Sequence, residues 1–199
     1  MGSTPSVNVN LELNLDYFSV AFAHTDRLRL ILAPESIVQA TENVLATNWK
    51  IINVQKSSGF VEFKLSGTPW WSEGARDLDV KYFICALLKE YYALGWHIKA
   101  SSDIHRSGAD TSALFFEKRE PLSTDVICVS LNDTDKLRIL APDNIIPLLR
   151  QAIVSSWPYG IQREQPFERS FEFKLKGRPW WCDDDREDAD YTPSLINEI

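Results

Sequence analysis

Apolar residues follow two rhythms along this chain, and the order in which the rhythms alternate occurs twice. From Val7 the stretch VNVNLELNLDY places apolar side chains at 7, 9, 11, 13, 15 and 17, with Asn8, Asn10, Glu12, Asn14 and Asp16 between them. A two-residue period is that of a strand with one buried face, so residues 7–17 predict an edge strand or an arm. Residues 18–23 and 27–32 then form β-like runs around His24-Thr25-Asp26, and residues 126–131 and 136–140 repeat them around Asn132-Asp133-Thr134-Asp135. Asn and Asp side chains bond nearby backbone and suit turns, so both pairs predict hairpins.

The period changes after each Leu-Ala-Pro, at 32–34 and 140–142. Ile37, Ala40, Val44 and Leu45 share a helical stripe that ends near Trp49; Ile145, Leu148, Leu149, Ala152 and Ile153 share another that ends near Trp157. Proline is tolerated in a first turn, where its missing N–H has no intrahelical partner. Glu35 and Asp143 suit the positive end of the helix beside it. Pro147 falls inside the second stripe, which predicts a late start or a bend.

Each stripe leads to a further hairpin, 50–56 with 60–65 and 160–165 with 170–175. Its second strand enters the clearest repeat: EFKLSGTPWW at 62–71 and EFKLKGRPWW at 172–181, identical at eight of ten positions. Val61, Phe63 and Leu65 alternate with Glu62, Lys64 and Ser66, and Phe171, Phe173 and Leu175 alternate with Glu172, Lys174 and Lys176. Gly67 and Gly177 end these strands, and a proline two residues later bars a continuing ladder. One Trp of each pair is expected in the core, because an indole buries roughly 150–250 Å² and usually serves packing. The other stays available to a partner, which makes Trp70, Trp71, Trp180 and Trp181 the candidate binding residues. A paired aromatic platform would suit a sugar, a proline-rich peptide or a base.

The copies part after the second Trp. Residues 75–94 predict a helix that is apolar on more than one face and therefore deeply buried, with Ser72 as cap and Gly95 as stop. A third hairpin, 96–101 with 113–118, surrounds the polar loop SDIHRSGADT. In the second copy Trp181 is followed by CDDDREDADYTPSLINEI, in which six of the eight residues from 183 to 190 are acidic. No such buried helix is predicted there, and the segment is expected to be disordered.

The pattern predicts an α+β fold: antiparallel sheet with helices packed on one face, as a tandem duplication of a β-β-α-β-β module whose second copy is incomplete. Residues 1–16 are read as an arm, 17–119 as the first module, 120–181 as the second and 182–199 as an acidic tail. The short link after residue 119 suggests one continuous sheet. The second module should leave an apolar face that the first module, residues 7–17 or a second chain must cover.

Composition narrows the function classes. A net charge of −7 and a pI near 5.0 argue against a nucleic-acid surface. No stretch is long enough for a membrane span, and the first residues lack the charge and apolar core of a secretory leader. The three cysteines, 85, 128 and 182, are scattered without C-x-x-C spacing, which fits a reducing compartment and predicts a cytoplasmic protein. No nucleotide, zinc or hydrolase motif occurs, and no cofactor or metal is expected.

The weak alternative site is Asp103, His105, Arg106 and Asp110, where a His beside carboxylates could serve as an acid–base pair. A solvated hairpin tip is the favoured reading, and the second module has no counterpart. Cys182 precedes acids, which raise a thiol pKa, and is expected to be inert. The expected function is a non-catalytic interaction or adaptor protein with a protein partner or a second copy of itself. The alternative is a small-molecule binder with Trp49, Trp70, Trp96 and Phe115 lining a pocket between helix and sheet. An enzyme using the 103–110 loop is the least supported reading.

Overall fold

The structure, a computed structural model, describes residues 16–71, 75–102 and 110–181. Most of the 7–17 stretch, Ser72, the loop at 103–109 and the acidic segment 182–199 lie outside the described residues.

The first unit runs β1 (Tyr17–Ala23), β2 (Arg27–Ile31), α1 (Glu35–Asn48), β3 (Ile51–Ser57), β4 (Phe60–Leu65), α2 (Ala75–Ala93), β5 (Trp96–Ser102) and β6 (Asp110–Lys118). The second runs β7 (Cys128–Asn132), β8 (Lys136–Leu140), α3 (Ile146–Ser156), β9 (Ile161–Phe167) and β10 (Ser170–Leu175). Two antiparallel sheets result, one of six strands in the order β3-β4-β2-β1-β6-β5 and one of four in the order β7-β8-β10-β9. Read from its other edge, the four-stranded sheet has the order of the first four strands of the larger one.

The sheets are separate rather than continuous. β6 is paired on one side with β1 and on the other with β5, so it has no edge to offer β7. The link after β6 contains Pro121, which has no N–H to give a ladder. The second helix does start late: a short turn at Asp143–Ile145 precedes α3, and Pro147 lies in its first turn.

Strand alternation decides the cores. In the first unit Val20, Leu28, Leu30, Phe63 and Phe116 point to one face, where α1 adds Ile37, Val38 and Leu45 and α2 adds Phe83, Leu87 and Tyr91. The second core is smaller: Leu137, Ile139, Phe173 and Leu175 from the sheet, with Ile146, Leu149 and Ile153 from α3. At the centre of the first, Phe18 stacks on Phe116 at 4.7 Å and Tyr91 meets both rings edge-on at 5.4 and 5.2 Å. The Thr41 hydroxyl donates to the Ile37 carbonyl at 2.7 Å, so the Tyr91 hydroxyl donates to Thr41 at 2.6 Å and ties α2 to α1. Burial pushes the Tyr91 phenol up, with Thr41 offsetting part of the shift, and the ring stays neutral.

Tyr91→Phe should therefore cost about 1 kcal/mol, the usual net worth of one buried hydrogen bond. Phe83→Ala should cost about 3–5 kcal/mol by leaving a cavity. Urea denaturation followed by tryptophan fluorescence measures both; equal losses would show that the hydroxyl, rather than ring packing, sets the helix position.

Candidate functional site

The repeated motif builds a staple. Gly67 and Gly177 take the left-handed conformation, with φ of +77° and +83°, which a residue with a Cβ adopts only with strain. That turn brings the first Trp of each pair back over the preceding hairpin. The Trp70 backbone N–H donates to the Thr25 carbonyl at 3.2 Å and its indole N–H to Arg27 at 2.9 Å. Trp180 repeats both bonds, to Thr134 at 3.3 Å and Lys136 at 3.3 Å. The Trp70 ring meets Phe22 edge-on at 4.9 Å and lies beside Trp49 and Phe83. The second indole of each pair stays open, Trp71 at 66% and Trp181 at 56% exposed.

A second repeated feature was hidden in the sequence. Glu62 and Glu172 sit on the sheet faces opposite the helices, where alternation predicts water, yet they are only 6% and 2% exposed. Each stands between an Arg and a Gln directly across its neighbouring strands: Arg29-Glu62-Gln55 and Arg138-Glu172-Gln165. Arg29 Nε reaches Glu62 at 2.5 Å and Arg27 Nη1 at 2.6 Å. Arg138 Nε reaches Glu172 at 2.9 Å, Gln165 donates at 3.3 Å, and the Arg138 guanidinium lies over the Phe167 ring at 3.9 Å. Burial raises the Glu62 pKa, but the hydrogen bonds and charges of Arg29 and Arg27 outweigh it and hold the carboxyl below its ordinary value. The clue was available: Glu62 and Glu172 keep their place in the motif, and Gln55 and Gln165 fall in register with them.

A depression of about 550 Å³ lies over this row in the first unit, lined by Arg27, Arg29, Ile31, Gln55, Phe60 and Glu62. Both guanidinium groups there are turned onto the carboxylate, so it presents compensated charge. The expected aromatic pocket does not assemble. Trp96 is buried against Phe18 at 5.0 Å, and Trp49 and Trp70 pack on Phe83. Phe115 lies on the opposite sheet face, because its neighbour Phe116 points into the core. Asp103, His105 and Arg106 lie outside the described residues, and Asp110 is described only as the first residue of β6. His97, on β5, has Nε2 3.0 Å from the Glu120 carbonyl, and His24 lies in the β1–β2 turn. Among the described residues no three of His, Cys, Asp and Glu are placed to hold a metal ion, and no helix is long and apolar enough to cross a membrane.

The two units differ most at β7. Its counterpart β1 is paired on both sides, whereas β7 pairs with β8 alone and forms a sheet edge among the described residues. Val129 and Leu131 lie opposite Ile139 and Leu137 on the core face, as Val20 and Phe22 lie opposite Leu30 and Leu28. Val20 and Phe22 are 0% and 8% exposed, but Val129 and Leu131 are 36% and 49% exposed, and Leu148 on α3 is 63% exposed.

Glu62→Gln should destabilise the protein at neutral pH by roughly 1–3 kcal/mol, since one guanidinium loses its acceptor oxygen and faces an amide NH2, and both lose the opposing charge. The folded-state pKa of Glu62 lies below its ordinary value of 4.5, so its contribution is present above that pH and fades as pH falls through the lowered value. Urea titrations across the acid range should show a shallower loss for Glu62→Gln than for the wild type. Parallel acid limbs would remove Glu62 from the account.

Among curated proteins, none matches the chain. It is similar to a solved structure described as that of a conserved kinetoplastid-specific protein from Trypanosoma cruzi, at 19% identity, covering 52% of this chain and 94% of that one, with a TM-score of 0.36. One family model, described as that of a domain, matches residues 16–117 and 125–199, a range that takes in both units. With most of its length inside those two segments, the chain belongs to that domain family.

Proposed function

We propose that this is a non-catalytic interaction protein, built from two copies of one module, that self-associates through the unpaired edge of its second sheet. The observation that carries the reading is the contrast at corresponding positions. Val20 and Phe22 are buried in a core to which α2 and β6, beyond the motif, contribute alongside Trp70, whereas Val129 and Leu131 keep the apolar character but not the cover. An unpaired edge presents a row of N–H and C=O groups that another strand satisfies. A second copy brings the same edge, and two β7 strands running antiparallel across a two-fold axis near Ser130 would join two four-stranded sheets. The same approach covers Val129 and Leu131, on the helix side of the sheet.

Native mass spectrometry of the full chain at micromolar concentration should give a dimer. The double variant Val129→Lys, Leu131→Lys should raise the dissociation constant by at least about tenfold, because charge would enter the buried centre of the contact. Circular dichroism should stay unchanged, since neither residue is enclosed in the free unit. A monomeric wild type, or a variant that dimerises as well as the wild type, would overturn the reading.

A further inference from the structure

On the sheet faces away from the helices, the two units differ by one ring. At the end of β9, Phe167 stands across the ladder from Ser170, and its ring lies over the Arg138 guanidinium at 3.9 Å. In the first unit the aligned pair is Ser57 and Phe60, so the aromatic residue stands on the other strand. Phe60 forms a wall of the depression of about 550 Å³ beside Arg29, Gln55 and Glu62. Among the described residues no ring lies over Arg29 or Arg27 as Phe167 lies over Arg138. Exposure follows the ring: the Arg29 side chain is 35% exposed and that of Arg138 only 15%. Gln55 is likewise exposed where Gln165 is half-buried.

We propose that this depression binds an aromatic side chain of a protein partner, seated on Arg29 as Phe167 is seated on Arg138. The second unit carries its own occupant, and the first leaves the same place open. The charges already present select an uncharged ring. Arg29 Nε and Arg27 Nη1 are both turned onto Glu62, at 2.5 and 2.6 Å, so an anion would have to displace a buried carboxylate. One edge of the Arg29 guanidinium is engaged in that pair, which leaves its flat face for a ring. Ile31 and Phe60 supply apolar walls.

A protein segment is the source because β3 is an edge of its sheet among the described residues. An extended segment that pairs with β3 places a side chain beside Ser57, on the face that carries Gln55 and Glu62. The site belongs to the first sheet and does not depend on the β7 contact.

Two substitutions exchange the states of the units. Ser57→Phe should supply the missing ring, and Phe167→Ser should open a second depression over Arg138. The probe is a blocked peptide, Thr-Thr-Phe-Thr-Thr, with its leucine counterpart and benzyl alcohol as controls. Each is titrated into the isotope-labelled full chain while the Nε–H resonances of Arg29 and Arg138, identified by their loss in the Lys variants, are followed by NMR. In the wild type the phenylalanine peptide should shift the Arg29 resonance saturably, together with the amides of β3. Ser57→Phe should weaken that binding by at least about tenfold, and its own ring should move the Arg29 resonance upfield without any peptide. In Phe167→Ser the Arg138 resonance should respond as well. An absent shift, an equal response to the leucine peptide, or undiminished binding by Ser57→Phe would each overturn the proposal. Silence of Arg138 in Phe167→Ser would overturn it even where Ser57→Phe perturbs the sheet. Benzyl alcohol binding as tightly as the peptide would overturn it too, by making a free small molecule the occupant.

Discussion

The placement of one helix, α2, conditions most of what this protein is. It is in contact on more than one side: Phe83, Leu87 and Tyr91 close the core of the first unit, while α2 also meets β7 and Lys89 reaches Asp125. Tyr82 and Asp79 extend that contact, with Arg169 over the Tyr82 ring at 4.0 Å and 3.8 Å from the Asp79 carboxylate. A helix apolar around most of its circumference cannot serve as a solvent-facing cover, and here one side is spent on the sheet and another on a neighbouring unit. The charged contacts at its periphery are exposed and contribute little individually, so apolar burial and the tyrosine hydroxyl hold α2 in place.

Within each unit the repeated motif does a different job. Its glycine turns the chain, its proline stops the ladder, and its first Trp clamps the β1–β2 or β7–β8 hairpin, the backbone N–H and the indole N–H each donating to one backbone carbonyl. Its glutamate anchors the far face of the sheet between an arginine and a glutamine. Both devices are structural, and they account for the motif's Glu, Gly, Pro and first Trp without any appeal to a shared ligand. The second indole of each pair stays largely exposed, and β7 is paired on one side alone among the described residues.

What separates the two units is an asymmetry outside the repeated motif. The smaller sheet repeats the order of four strands of the larger, and the difference between the units falls on one sheet edge and one apolar strip.

Much of the architecture was legible without coordinates. Two-residue and 3.6-residue periods located the strands and helices, Leu-Ala-Pro and Gly-x-Pro-Trp-Trp marked their ends, and the contrast between Trp70 and Trp71 came from the size of an indole and the room a core has for it. Local preference settles such matters because neighbouring residues meet whatever the rest of the chain does. The separation into two sheets, the burial of Glu62 and Glu172, the failure of Trp96 and Phe115 to share a pocket, and the contact of Arg169 with Tyr82 depend on which strands become neighbours and which side of α2 the second unit finds. Those are choices among distant segments, made by the summed burial of whole faces, and only the tertiary structure decides them.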